Sequence, residues 1–150
     1  MQKAETSHWA TDADTFMALD GAKEVVAWFG IIPSFHDATL GRLEIGQGTA
    51  IMSLETFRMT SEVDSQGFFV LDKHATVTLN AKGVTGLALT GEASATIARL
   101  IIRRVSAKPM GWDNAVGPEV GDIEIGWESS WGMDGTIYAR EVSLSLQPLP

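Results

Sequence analysis

The chain has 150 residues, a formal net charge of −8 at pH 7, 45% apolar residues, five Trp and six Phe, which indicates one globular domain spanning 1–150 and excludes a disordered chain. It has no cysteine, so disulfides, thiolate metal sites and cysteine nucleophiles are excluded. The acidic balance repels nucleic acid and favours basic partners, or serves solubility alone.

Residues 1–8 lack the apolar stretch of a signal peptide. The longest apolar run, Ala98 to Ile102, is interrupted by Arg99 and ended by Arg103 and Arg104, well short of the roughly 20 residues that span a bilayer. These features predict a cytoplasmic protein with no membrane anchor. Residues 1–19 place Trp9, Phe16, Met17 and Leu19 without a clean period.

Asp20 is suited to cap a helix, because its carboxylate accepts bonds from first-turn amides. Ala22, Val25, Val26 and Phe29 then recur at helical spacing. Gly30 and Pro33 end the pattern, so one short helix is expected over about 21–29. The period then changes to two. Strands are expected over 40–45 and 49–59, joined by a turn at Gly46-Gln47-Gly48. Residues 60–67 read as a polar loop. Residues 68–71 lead into a strand over 74–79, and Asn80-Ala81-Lys82-Gly83 reads as a turn.

Short strands follow at 85–90 and 99–106, with 92–96 either a helical turn or a bulge. Residues 107–121 form the longest loop. Strands over 123–128 and 136–146 flank Asp134-Gly135, a hairpin-turn signal because both positions tolerate positive φ. The expectation is a mainly β (α+β) fold with seven or eight antiparallel strands, as a bent sheet or a two-layer sandwich, plus the short N-terminal helix.

His36 and Asp37 are the first candidates for chemistry. A histidine beside a carboxylate can act as an oriented base or a metal ligand. Neighbours on a strand point to opposite faces, however, so Asp37 is expected to cap the turn after Pro33 and His36 to bond locally. His8 and His74 share no zinc spacing with it, and no metalloprotease, nucleophile-elbow or phosphate-loop pattern occurs. No metal or cofactor is implied.

Asp122, Glu124 and Glu128 form a row along one strand, suited to a basic protein or calcium, or simply solvated. They belong to an acid-rich stretch that runs from Asp113 to Glu141 with Arg140 its only base, just after Arg99, Arg103, Arg104 and Lys108. If these strands are neighbours, cross-strand pairs cancel part of the asymmetry; otherwise the molecule has an acidic face. Trp127 extends the Ile123, Ile125 face and is expected in the core. Trp112, in the long loop, is the tryptophan expected to be exposed.

The run W-F-G-I-I-P-S-F-H-D-A at 28–38 resembles the opening motif of the immunity protein 50 family of bacterial polymorphic toxin systems. Residues 83–89, 97–102 and 131–146 are similar to that family's later strands. Thr39 stands where the motif usually has an acid. The resemblance implies a non-enzymatic protein that neutralises a toxin by binding it, and carries over no catalytic residues.

On this reading His36, Asp37, Trp112, Asp122, Glu124 and Glu128 are the candidate binding residues, and a basic protein toxin is the partner. Two alternatives belong to other classes. One is a small-molecule-binding or catalytic domain with His36 and Asp37 near an aromatic pocket. The other is a self-associating accessory protein, a homodimer built on an exposed strand edge or an apolar patch.

Overall fold

A computed structural model describes residues 10–112 and 116–150. His8, Trp9 and Asp113 lie outside the described residues. The elements are α1 (Ala13–Met17), α2 (Ala22–Phe29), β1 (Thr39–Gly46), β2 (Thr49–Val63), β3 (Phe69–Arg104) and β4 (Ile123–Pro148). They form one four-stranded sheet in the order β1-β2-β3-β4, with every pairing antiparallel. Among the described residues no helix is long and apolar enough to cross a membrane.

The mainly β class agrees with the sequence reading, but the expected seven or eight strands do not appear. Among the described residues there are four, with two helices instead of one. The difference arises at glycines that bend strands without reversing them. Asn80, Ala81 and Lys82 stay in register with Ser143, Val142 and Glu141, and Gly83, at φ +63, only kinks β3. At the next corner Gly91 to Ser94 face Met133 alone, between the pairs Thr90–Asp134 and Ala95–Gly132. This is a special bulge, four residues against one, with Gly91 at φ +111 and Gly132 at φ +102.

Asp134-Gly135 is not a hairpin turn either: these residues pair with Thr90 and Leu89 inside β4. Gly135 is needed because the Trp127 ring covers it, and an added Cβ would overlap the ring. Two-residue turn chemistry and close approach within a strand both select glycine, so sequence does not separate them.

The curled sheet nearly closes on itself. Thr39 at the start of β1 pairs with Glu55 of β2 on one side and Thr96 of β3 on the other. One core cluster fills the interior. It joins Met52 and Leu54 of β2, Val77, Leu79, Ile97 and Ile102 of β3, and Ile125, Trp127 and Ile137 of β4 to Phe16, Val25 and Phe29 of the helices.

The helix α2 has only eight residues, marginal on its own. Packing holds it: each fully buried side chain of this kind contributes roughly 1.5–3 kcal/mol, and Val25 and Phe29 are both buried. The helix begins one residue later than the Asp20 cap signal implies. Gly21, at φ +86, is the N-cap, because a Cβ there would overlap the Leu144 carbonyl. Asp20 is drawn to the sheet, where its carbonyl accepts the Leu144 N–H at 2.7 Å. Gly30 ends the helix at φ +79, its N–H donating to Val26 O at 2.7 Å.

Candidate functional site

The far ends of β2 and β3 extend as an arm. Pairing of β1 along β2 stops at Glu55, and pairing of β4 along β3 starts at Ala75. Between these points, among the described residues, the two strands pair only with each other, through Arg58–Asp72, Met59–Leu71 and Val63–Phe69. The tip is a built turn: Asp64 N–H donates to Phe68 O at 2.8 Å, and the Asp64 carboxylate accepts the Gln66 and Phe68 amides at 2.8 and 3.0 Å.

Cross-strand partners share a face. Met59, Leu71, Val63 and Phe69 therefore form one apolar stripe, and all four are exposed. Phe57 and His74, with ring centroids 5.8 Å apart, lie at its base. Phe68 at the tip is 67% exposed and Phe69 56%. Exposed aromatics in a contiguous patch mark interaction surfaces. Glu62 and Asp64 flank the stripe and leave its rim acidic.

The opposite face is fastened to the body. Arg58 makes a two-pronged contact with Asp72, Nε to Oδ1 at 2.8 Å and Nη2 to Oδ2 at 2.7 Å. These hydrogen bonds hold the Asp72 carboxyl below the usual carboxylate range. At the base, the Trp28 indole N–H donates to Lys73 O at 2.9 Å. A bulge between Thr56 and Arg58 sets the arm's angle.

In sequence, residues 60–67 read as a polar loop and Phe68 and Phe69 stand out in no role, whereas β2 runs to Val63. The available signal was the run Phe68-Phe69-Val70-Leu71, where apolar residues do not alternate with polar ones as a half-buried strand requires.

The residues singled out from sequence occupy other places. His36 and Asp37 lie in a turn, not a strand, with Phe35 at φ +60 and Asp37 at φ +63. Because the backbone turns, the two side chains do approach, His36 Nε2 to Asp37 Oδ2 at 3.5 Å. Both are exposed. His36 Nδ1 donates to Ala98 O at 2.8 Å, while Asp37 N–H donates to Ile97 O and Ile97 N–H to Ala38 O, each at 2.8 Å. The motif thus caps the edge of β3 and clips the curled sheet shut. Ile32, Pro33 and Ser34 of the motif line one cavity, with Ala98 to Leu100, but His36 and Asp37 line none of the described cavities.

The carboxylate row is not assembled as a free face. Asp122 is 6% exposed and precedes β4. It accepts the Thr85 hydroxyl at 2.8 Å and the Glu119 amide at 2.9 Å. Glu124 pairs with Arg103 at 2.9 Å and Glu128 with Arg99 at 3.1 Å, because β3 and β4 are neighbours. Trp112 is half-buried, its ring covering Gly117. Among the described tryptophans Trp131 is the exposed one, at 69%.

No family model matches the chain, no curated protein matches its sequence, and no solved structure matches its fold.

Proposed function

We propose that this is a non-enzymatic cytoplasmic binding protein of the immunity type, which neutralises a basic protein toxin by seating the β2–β3 arm in an apolar groove of that partner. The carrying observation is the contiguous exposed stripe Met59, Val63, Phe69 and Leu71 with Phe68 at the tip. Burying one such aromatic contributes roughly 1.5–3 kcal/mol, and interface energy concentrates in a few anchors of this type. Charge supports a basic partner: Glu62 and Asp64 flank the anchors, and the chain carries −8 overall, which speeds encounter with a positive surface. The 28–38 motif supports the immunity reading through its family resemblance. In this account the motif maintains the scaffold and the arm makes the contact.

The test is co-expression with the products of neighbouring reading frames, with the wild-type chain and a Phe68→Ser/Phe69→Ser variant. The expected result is a stoichiometric complex with a basic protein that is toxic when expressed alone, and loss of both complex and protection in the variant with its melting temperature unchanged. A variant that keeps the complex overturns the arm as the contact. A wild-type chain that forms only an arm-dependent homodimer, with no toxic partner, overturns the immunity reading in favour of self-association.

A further inference from the structure

Six cations among the described residues are matched. Arg42, Arg58, Arg99, Arg103 and Lys108 each face a carboxylate, and Lys73 lies over the Trp28 ring. Lys23, Lys82, Arg104 and Arg140 have no ion-paired carboxylate among the described residues, and the last three line one cleft of about 310 Å³ beside the α1–α2 connection. A gathering of unmatched cations in an acidic molecule costs repulsion, which a bound anion would relieve.

Two lining residues, Lys82 and Arg140, adjoin the kink in β3 at Gly83. Gly83 has no side chain, and the stem of Arg140 lies across it, with Cβ, Cγ and Cδ 3.2–3.4 Å from where a Cβ would stand. The bend thus directs an arginine along the strand pair. Arg104 is anchored by one N–H, Nη1 donating to Gly121 O at 2.7 Å, and its guanidinium has further donors. Asn80 and Ser143 are cross-strand partners in the same lining and add neutral hydrogen-bonding groups. Asp20 and Glu141 also line it, so three cations against two carboxylates leave the cleft net positive. Planar guanidinium forks match the geometry of carboxylate and phosphate oxygens. The volume lies at the small end of ligand pockets.

We infer that this cleft binds a small dianion, a phosphate or a dicarboxylate, held by Arg140, Lys82 and Arg104. The site is separate from the arm, and the inference does not depend on the arm's role. The test is an amide NMR titration of the full chain with inorganic phosphate and, separately, with succinate, with sodium chloride adjusted to hold ionic strength constant. Saturable shifts confined to residues 80–83, 104 and 140–143, at least tenfold weaker in Arg140→Gln and about fivefold weaker in Lys82→Gln, support the cleft. The tighter of the two anions then assigns the dianion as phosphate or dicarboxylate. Equal shifts with chloride alone, or unchanged affinity in both variants, overturn it. Both substituted side chains are exposed, and each variant's amide spectrum reports directly that it is folded.

Discussion

The Trp28 indole N–H donates to the Lys73 carbonyl at 2.9 Å, and the Lys73 ammonium lies 4.7 Å from the centroid of the same ring. Lys73 sits at φ +53, at the bulge where the arm leaves the body. These two residues therefore couple α2 to the base of the arm. A hydrogen bond contributes about 0.5–1.5 kcal/mol and an exposed cation–π contact about 0.5–1 kcal/mol.

Trp28→Phe is accordingly expected to cost about 1–2 kcal/mol and to loosen the arm first. Amide hydrogen exchange checks this. Exchange over residues 58–72 should accelerate while that of 75–82, inside the four-stranded region, stays slow. Equal acceleration along all of β3 would show that Trp28 supports the whole sheet.

Gly135→Ala is expected to destabilise by about 1–3 kcal/mol, the usual cost of overpacking. The new methyl would meet the Trp127 ring and Leu89 Cδ2. Trp127 has little freedom to yield, since its indole N–H donates to Met133 O at 2.9 Å. Gly41→Ala is the control: its Cβ would meet only Ser53 O at 3.9 Å and Glu55 Cγ at 4.0 Å, and its stability should stay within about 0.5 kcal/mol of wild type. Urea denaturation of the two variants distinguishes these outcomes; equal stability would refute the close-approach account of Gly135.

Acid should weaken the Arg58–Asp72 clamp in a definite direction. The folded pKa of Asp72 is depressed, chiefly by the hydrogen bonds from Arg58. Above the ordinary aspartate value, about pH 4, both folded and unfolded chains are ionised and the pair contributes fully. As pH falls below that value the unfolded chain takes up the proton first, so the contribution is lost as pH passes down through the folded pKa. Urea midpoints at pH 7 and pH 3 should fall further for the wild type than for Asp72→Asn. Identical losses would sink this account.

Much of the local structure was legible in the residues. The apolar spacing of Ala22, Val25 and Phe29 and the stop at Gly30 correspond to α2, and the β1–β2 turn lies at Gln47-Gly48, as its glycines imply. The expected strands fall within observed strands except at Val105 and Ser106, which lie beyond the end of β3 at Arg104. The sequence reading treated Asn80–Gly83 and Asp134-Gly135 as chain reversals, and there the structure differs. A left-handed or side-chain-free residue satisfies a reversal, a kink and a close approach equally well. Which one occurs depends on whether the ladder resumes in register with the same neighbour, a long-range fact.

The candidate site divides in the same way. That His36 and Asp37 form a structural corner follows from the turn chemistry around Pro33, but that the corner caps Ala98 and Ile97 depends on where β3 returns. The acid row looked like a binding face until β3 brought Arg99 and Arg103 alongside it. The stripe on the arm and the cations of the cleft beside the α1–α2 connection were invisible as groups, since their members lie up to tens of residues apart. By itself, then, the sequence determined the mainly β character, α2, the alternation of faces and the net charge, because these rest on interactions within a few residues. Tertiary structure alone decided which strands are continuous, which charges cancel and which apolar residues remain uncovered, because cross-strand register, not local propensity, selects each side chain's neighbours.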